Sequence, residues 1–531
     1  MKKDSRELAA PQRTSAASEA DLPVSSGLAA RASFAHAQGK APHDRGPVID
    51  VDVQDSDVAS PVAQRATPPR DSDPIIVKHT SAKAAKKART PSETPRERNI
   101  VAALDIGSSK ICCFIAEIKN HGGIDIIGIG HQASRGVKGG TVTDLRAAET
   151  AVAHAVEAAE LMARGPLQGQ PISSVVVNVP GVHCLSHRAS TEVRIAGAEV
   201  ADRDIRHALA QSKQVAVAGR DQLIHVIPTG YTIDRQRGIL EPRGMAGQNL
   251  GVQSCAITAL STSLRNIGHI TSQNRLEIDA YCAGAYAAGL ASLVDDERTL
   301  GCTVIDMGGG TTSIAVFIEG KLVFTAAIPV GGNHVTSDIA RGLTTSLADA
   351  ERIKTLYGSA IATSPDDHTM IDVPPVGEEE HAQPNYVPRS LLTGIIQPRI
   401  EETFELVRAK LVDSGFYHLA GRRVVLTGGA SQLAGLCDIA QLILDKQVRL
   451  GRPQHVRGLA EATGGPAFTT AAGLLLYAAQ HSDEIPERRD ASLGMAMHFR
   501  LPFTMPSLAR LENVKGVQML GKVTHWLKEN W

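Results

Sequence analysis

The chain has 531 residues, of which 43% are hydrophobic and 21% charged, a length and composition typical of roughly two to four globular domains. Its 55 Lys and Arg nearly balance its 56 Asp and Glu, and the net charge of -1 excludes a strong field toward nucleic acid. We therefore expect no nucleic-acid partner. The N-terminus lacks the apolar run of a signal peptide, and no segment approaches the ~20 apolar residues of a membrane span. These absences predict a cytoplasmic protein.

The cysteines lie in apolar segments, and no two of them form a CxxC pair. They are Cys112, Cys113, Cys184, Cys255, Cys282, Cys302 and Cys437. This pattern predicts buried, reduced thiols in a reducing compartment.

Residues 1–98 contain ten of the 27 prolines and a single aromatic residue, Phe34. Such a segment cannot bury enough apolar surface to order itself, and we predict a disordered arm. Its last stretch, 78–98, is rich in Lys and Arg. A solvated basic linker is the favoured interpretation of that stretch, and contact with an acidic surface or anionic lipid is the alternative.

From Asn99 onward, β-rich runs and helical patterns alternate, which predicts a mixed α/β protein. Helical periodicity marks 144–163, 335–357 and 398–412, and we expect the last of these helices to begin at its proline. The polar, proline-containing stretch 363–388 is typical of an exposed hairpin tip or a flexible insertion.

The chain begins the same construction twice, at 103–118 and again at 304–320. In each copy an apolar strand carries an Asp, either Asp105 or Asp306, and a glycine and a turn of small residues follow before a second strand. Backbone N–H groups in such a turn can approach phosphate oxygens because no Cβ stands in the way. The two carboxylates would hold a magnesium ion that keeps most of its waters.

We predict that both turns clamp one triphosphate from opposite sides. The residues concerned are Gly107, Ser108, Ser109, Lys110, Gly308, Gly309, Gly310, Thr311 and Thr312. The first turn alone is a weak signal, because a strand, an Asp and a glycine turn are common in ordinary hairpins. The three consecutive glycines of the second turn are more specific, because glycine weakens a strand unless backbone must approach closely there.

A third glycine turn follows the β-rich run that begins at Val424, and it carries Gly428, Gly429 and Ala430 ahead of an apparently helical segment. Backbone donors at a helix N-terminus can meet a phosphate or a sugar edge. An ordinary strand-to-helix turn is the alternative for this segment taken alone.

The three turns, in this order, resemble the ATPase fold shared by actin, heat-shock chaperones and sugar kinases. The resemblance implies an α/β, actin-like fold of two duplicated ribonuclease H-like domains, with ATP and Mg²⁺ in the cleft. Asp105 and Asp306 would be its catalytic and metal-binding residues. It also implies an adenosine-side pair, Glu351 and Lys354, for which a surface ion pair is the alternative.

Within this superfamily, the chain is similar to the bacterial cell-division family FtsA over 99–478. The similarity rests on the block 182–265, which resembles the FtsA-type inserted subdomain, and on 134–145 and 328–343. It implies a filament, formed by the protein with itself, that recruits FtsZ to the cytoplasmic face of the inner membrane at the division site. The C-terminal tail of FtsZ would dock on the small subdomain, 337–421, and other division proteins on the inserted subdomain.

The resemblance also divides the chain into parts. We expect a first half-domain at 99–181 and 266–301, interrupted by the inserted subdomain at 182–265, and a second half-domain at 302–336 and 422–480, interrupted by the small subdomain at 337–421. Each half-domain includes a connecting helix, the first within 278–292 and the second within 466–478. A flexible tether at 481–517 and a membrane helix at 518–531 follow.

The C-terminal tail, 518–531, holds both tryptophans of the chain. At 100° per residue its apolar side chains share one face. They are Leu520, Val523, Trp526, Leu527 and Trp531. Because indole rings favour the bilayer interface, we predict an amphipathic membrane-targeting helix. A helix docked on its own domain is the alternative.

Two other functions fit the same turns. One is a sugar-kinase-type phosphotransferase, in which Asp306 or a nearby carboxylate would deprotonate a hydroxyl. The other is an actin-like platform of a pilus machine, similar to PilM. The tail and the inserted block favour cell division over both. The residues are compatible with slow ATP hydrolysis as well as with none.

Overall fold

The computed structural model describes residues 100–119, 122–216, 221–377 and 385–480. The predicted N-terminal arm, the tether and the membrane helix lie outside these residues. Among the helices within them, none combines the length and the apolar character needed to cross a membrane.

The first half of the described chain contains a large sheet, an inserted smaller sheet and the helices that cover them. Its elements are β1 (Ile100–Ile106), β2 (Lys110–Ile118), β3 (Ile124–Ala133), β4 (Val137–Lys138), β5 (Thr141–Val142), α1 (Leu145–Met162), β6 (Ser174–Val179), β7 (Cys184–Arg194), α2 (Asp202–Ala216), β8 (Asp221–Ile233), β9 (Gln236–Ile239), β10 (Asn249–Leu260), α3 (Ser261–Gln273), β11 (Glu277–Ala283), α4 (Gly284–Ser292) and α5 (Asp295–Leu300).

The second half repeats the large sheet and adds a small helical part with a hairpin. Its elements are β12 (Cys302–Met307), β13 (Thr312–Ile318), β14 (Lys321–Ile328), α6 (Gly332–Gly342), α7 (Leu347–Tyr357), β15 (Met370–Val373), β16 (Asn385–Pro388), α8 (Arg389–Asp413), β17 (Arg423–Thr427), α9 (Leu436–Leu444), β18 (Gln447–Leu450), β19 (Val456–Arg457) and α10 (Thr469–Gln480). Short 3₁₀ helices occupy Gly181–His183, Ser364–Asp367, Gly429–Gln432, Glu461–Thr463 and Pro466–Phe468.

The two large sheets have the same topology. The first runs β11-β6-β1-β2-β3, with β19 added at its edge, and the second runs β18-β17-β12-β13-β14. In both, a central strand pairs antiparallel with the strand that follows it and parallel with a later one, as β1 does with β2 and β6, and β12 with β13 and β17. The duplication that the sequence predicts is therefore present in strand order and strand direction.

The inserted part is a four-stranded sheet, ordered β7-β10-β8-β9, with α2 packed on it. Strand β7 shows why: Ala189, Thr191 and Val193 are buried while the residues between them are exposed, the alternation of a sheet with one covered face. This sheet has its own small core, which includes Ile205 and Leu250.

Two connecting helices, α4 and α10, pack against each other between the large sheets. Every residue of α4 is buried, and small residues let the backbones approach. A Cβ at Gly473 would overlap the backbone carbonyl of Ala287. The helix expected within 278–292 begins only at Gly284, because the residues before it form β11 and pair with β6.

Two further expectations about helices were wrong in detail. The segment 335–357, expected to form one helix from its periodicity, contains two helices, α6 and α7. The chain turns between them at Thr344 (φ 52°), and Ser346 caps the second helix by accepting from the Asp349 N–H. Pro398 lies inside α8 and does not begin it. The buried stripe continues across the proline, from Ile396 to Ile400, and this packing outweighs the lost hydrogen bond.

All seven cysteines are free thiols, as predicted. Six of them are buried and Cys437 is partly exposed. The stretch 363–388 contains the antiparallel hairpin β15–β16, which agrees with the hairpin interpretation.

The crossing of α4 and α10 generates a stability prediction. Gly473→Ala should lower the free energy of unfolding by about 1–3 kcal/mol, because the new methyl group forces the two backbones apart. Gly394→Ala is the matched control. Gly394 lies exposed in α8 with open space around its Cα, and alanine there should stabilise by about 0.5–1 kcal/mol. Urea unfolding of both variants measures this, and equal effects would contradict the proposed close crossing.

Candidate functional site

The turns that follow β1 and β12 have the same backbone geometry. The N–H of Gly107 donates to the carbonyl of Lys110 at 3.1 Å, and the N–H of Gly308 donates to the carbonyl of Thr311 at 2.9 Å. Each turn thus closes in the same way, and each follows directly on the strand that carries the Asp. The predicted repeat therefore extends to individual hydrogen bonds.

The two turns meet across a cleft between the large sheets. A Cβ on Gly309 would lie 2.7 Å from Cβ of Ser109, and one on Gly310 would lie 2.7 Å from Oγ of Ser108. No residue larger than glycine fits at these two positions unless the opposite wall shifts. This explains why the second turn is built from consecutive glycines.

The cleft has a volume of about 610 Å³, and it brings together nearly all of the predicted site residues. Those that line it are Asp105, Gly107, Ser108, Ser109, Lys110, Asp306, Gly308, Gly309, Gly310, Thr311, Glu351, Lys354, Gly428, Gly429 and Ala430. Thr312 is placed differently. Its side chain is fully buried, and its hydroxyl donates to the carbonyl of Val330 at 2.8 Å.

Asp105 and Asp306 lie at the floor of the cleft, one at the end of each central strand. Burial raises the pKa of Asp105 to about 7, an effect that Lys110 opposes and Asp306 reinforces. Burial likewise raises the pKa of Asp306, while a hydrogen bond from the hydroxyl of Thr470 (3.0 Å) and the charge of Lys110 oppose the rise. Two carboxylates that are costly to ionise therefore lie close to the ammonium group of Lys110.

Lys110 links the first turn to the 3₁₀ helix Pro466–Phe468, which directly precedes α10. Its ammonium group donates to the carbonyl of Ala467 and stands 3.4 Å from the centroid of the Phe468 ring. Burial lowers the pKa of this lysine, and the neighbouring Asp105 and Asp306 oppose the decrease. The side chain predicted to touch phosphate is thus held at the cleft wall by a carbonyl and an aromatic face.

The third turn packs against the second carboxylate. Gly428 has a φ of 85°, and a Cβ there would overlap the side chain of Asp306. Its N–H donates to the carbonyl of Pro466 at 3.1 Å, while the hydroxyl of Thr427 donates to that of Thr469 at 2.8 Å. The regular helix expected directly after this turn begins later, at α9, and a 3₁₀ helix, Gly429–Gln432, intervenes.

Glu351 and Lys354 form an ion pair of 2.6 Å on α7 and line the cleft at the same time. The ammonium group of Lys354 also donates to the hydroxyl of Thr336 (2.9 Å) and to the carbonyl of Gly332 (3.3 Å). Lys354 is 16% exposed and Glu351 52% exposed. The pair is therefore an i,i+3 ion pair that lies on the cleft wall.

The sequence-based prediction missed several cleft residues, among them Asn178, Asn333 and Thr470. The side-chain oxygen of Asn178 accepts from the N–H of Ile106 at 2.7 Å, which holds the end of β1 against β6. A polar residue inside the otherwise apolar run of β6 was the available signal for Asn178. The contact of Thr470 with Asp306 spans 164 positions of sequence, and no local pattern marks it.

Comparisons with known proteins identify the family. A family model described as cell division protein FtsA matches residues 303–473, and one described as the SHS2 domain inserted in FtsA matches 181–258. The cell division protein FtsA of Agrobacterium fabrum is 42% identical to this chain over 447 residues, which cover 82% of this chain and 96% of the relative. The chain belongs to the FtsA family.

Other members of the FtsA family are similar over nearly the same extent. The Rhizobium meliloti protein is 45% identical and covers 72% of this chain and 88% of its own, and the Escherichia coli K12 protein is 35% identical and covers 75% and 96%. FtsA proteins are cell-division proteins, and this chain is therefore one as well.

A solved PilM-PilN type IV pilus biogenesis complex is similar in structure, with a TM-score of 0.51 over 72% of this chain and 98% of the other. At 17% sequence identity this likeness shows the fold alone. Together with the duplicated sheets and the matched FtsA insert, it confirms the expected actin-like fold with an inserted subdomain.

The raised pKa of Asp105 generates a prediction about pH. Without nucleotide or magnesium, the folded protein holds this proton to about pH 7, whereas the unfolded chain releases it near 3.8. The free energy of unfolding should therefore fall as pH rises between these values. Asp105→Asn cannot ionise, and its Tm should decrease less than that of the unchanged chain between pH 5 and pH 8. Parallel Tm curves in EDTA would contradict the assigned burial.

Proposed function

We propose that this FtsA-family chain binds ATP with Mg²⁺ in the cleft and that the bound nucleotide controls its assembly into filaments. The filaments anchor FtsZ at the division site, on the cytoplasmic face of the inner membrane. The observation that supports the nucleotide site most directly is the pair of equivalent turns on facing walls, each following a strand whose penultimate residue is an aspartate that lines the cleft.

The residues of the cleft suit magnesium triphosphate. Gly309 and Gly310 leave room only for backbone, whose N–H groups can meet phosphate oxygens. Among the described residues, no group of three or more His, Cys, Asp or Glu side chains could hold a metal by itself. Magnesium is commonly held by one or two carboxylates with water and phosphate, the role proposed for Asp105 and Asp306.

The remaining cleft residues divide into two groups by position. In this proposal Ser108, Ser109 and Lys110 orient the phosphates from the first wall. Glu351 and Lys354 contact the adenosine side, where the third turn also lies. ATP turnover is slow or absent, and the bound state itself favours assembly.

The membrane contact is proposed for the C-terminal tail. One short amphipathic helix binds lipid only reversibly, and many copies along a filament would bind together far more tightly. Assembly and membrane attachment then reinforce each other. Membership of the FtsA family supports the FtsZ tail as the partner of 337–421 and other division proteins as partners of 182–265.

The nucleotide proposal predicts the behaviour of one variant. Asp306→Ala should weaken the binding of MgATP at least about tenfold, because it removes one of the two proposed metal ligands. Isothermal titration of the full chain with MgATP measures the affinity. Asp438→Asn, in α9 and away from the cleft lining, is the control and should bind like the unchanged chain. Unchanged affinity of the Asp306 variant would exclude the proposed metal site.

The anchoring proposal is tested by sedimentation with liposomes of anionic and zwitterionic lipid. With MgATP present, the full chain should carry a peptide of the FtsZ C-terminus into the pellet. Deletion of 519–531 should leave both the protein and the peptide in the supernatant, because the tryptophan-bearing face is lost.

The same deletion variant separates the two contacts. It should still retain the FtsZ peptide in a pull-down without lipid, since 337–421 is intact. Glu529→Gln, a change on the polar face of the tail, should sediment like the unchanged chain. Lipid binding that survives the deletion would refute the anchor, and failure to retain the peptide under any condition would refute the FtsZ assignment.

A further inference from the structure

The two strands of the β4–β5 hairpin are joined by a glycine turn. This turn lies where the turns that follow β1 and β12 meet. A Cβ on Gly310 would lie 2.9 Å from Cα of Gly139, and one on Gly140 would lie 3.3 Å from the methyl group of Thr311. Gly140 has a φ of 78°, a conformation that favours glycine. Backbone from this hairpin therefore forms part of the same contact as the two turns.

Gly140 is bonded directly to the first turn. Its N–H donates to the hydroxyl oxygen of Ser108 at 2.8 Å. A serine hydroxyl has one hydrogen to donate and two lone pairs to accept with. Because the N–H of Gly140 occupies one lone pair, the hydroxyl hydrogen points away from Gly140, and Ser108 lines the cleft. An anionic oxygen in the cleft is a suitable acceptor for that hydrogen.

The carbonyl side of Gly140 is held by His183. The Nε2 atom of His183 lies 3.2 Å from the carbonyl oxygen of Gly140 and 3.1 Å from the hydroxyl of Thr141. A carbonyl oxygen only accepts, and Nε2 must therefore carry the hydrogen in this contact. Burial lowers the pKa of His183, which favours the neutral ring, while the bond to Gly140 opposes that decrease.

The segment that carries His183 is itself fixed against the second half. A Cβ on Gly181 would lie 2.6 Å from Oγ of Ser313 and 2.9 Å from Cβ of Ala327. Three positions after His183, the hydroxyl of Ser186 donates to the carbonyl of Thr325 at 2.8 Å. The short segment that carries the imidazole of His183 thus packs between the β4–β5 hairpin and strands β13 and β14.

We propose that His183 is a positioning residue for the cleft. By holding the carbonyl of Gly140, it keeps the N–H of Gly140 on Ser108, and this bond directs the hydroxyl hydrogen of Ser108 toward the phosphate groups of a nucleotide. The inference rests on the proposed nucleotide site. Since His183 directly precedes β7, it also connects the inserted subdomain to that site.

The test measures MgATP affinity of the full chain by isothermal titration, with Tm measured alongside. His183→Ala should raise the Kd for MgATP about fivefold, which corresponds to the loss of one hydrogen bond with a net contribution of about 1 kcal/mol. His183→Gln should restore most of the affinity, because its amide N–H can reach the same carbonyl. His187→Ala is the matched control. This histidine lies on β7, and its Nε2 lies 3.1 Å from the hydroxyl of Thr258. Its replacement should leave the Kd for MgATP unchanged.

A double-mutant cycle separates positioning from a general structural role. Ser108→Ala should weaken MgATP binding by a similar factor, and adding His183→Ala to it should cause little further loss. Ser108→Ala alone also keeps the proposal testable if His183→Ala unfolds. Additive losses, or an unchanged Kd in His183→Ala, would overturn the inference while leaving the nucleotide site intact. Absence of MgATP binding by the unchanged chain would overturn the proposed function, and the inference with it.

Discussion

The burial of two carboxylates at the floor of one cleft is the constraint on which the rest of the site depends. Removing Asp105 and Asp306 from water raises the pKa of both, and Lys110 is the cation that opposes the rise at each. The strand ends, the glycine turns and the hydroxyl of Thr470 all converge on these two groups. A divalent cation bound between them would offset the cost of their ionisation, which is the physical reason for linking this cleft to magnesium.

The start of α10 is where the two halves are joined around that cleft. Lys110 from the first half reaches Ala467 and Phe468, while Asp306 from the second half accepts from Thr470. The third turn is bonded to the same short segment through Pro466. The geometry of the turns that follow β1 and β12 is therefore tied to one short segment, Pro466–Phe468 and the start of α10, although the turns themselves are far apart in sequence.

Much of this arrangement was predictable from the sequence, because the repeated Asp and glycine pattern reports a local requirement of the backbone. The cleft contacts of Thr470 and Lys110 were not, since their partners are chosen by tertiary packing. Thr311 and Thr312 both follow the glycines in the sequence pattern. The side chain of Thr312 nevertheless points inward and bonds to the carbonyl of Val330. Pro398 misled the prediction of α8 because the buried stripe of that helix stabilises it beyond the local preference of proline.

The crossing of α4 and α10 has a mechanical consequence. At Gly473 and Ala287 the contact is backbone against backbone, because glycine has no side chain there. One turn away the rings of Tyr286 and Tyr477 pack edge to face, so these two side chains would have to move if the angle between the helices changed. Because residues of both large sheets pack against the two helices, a small rotation at this crossing would change the width of the cleft between the sheets.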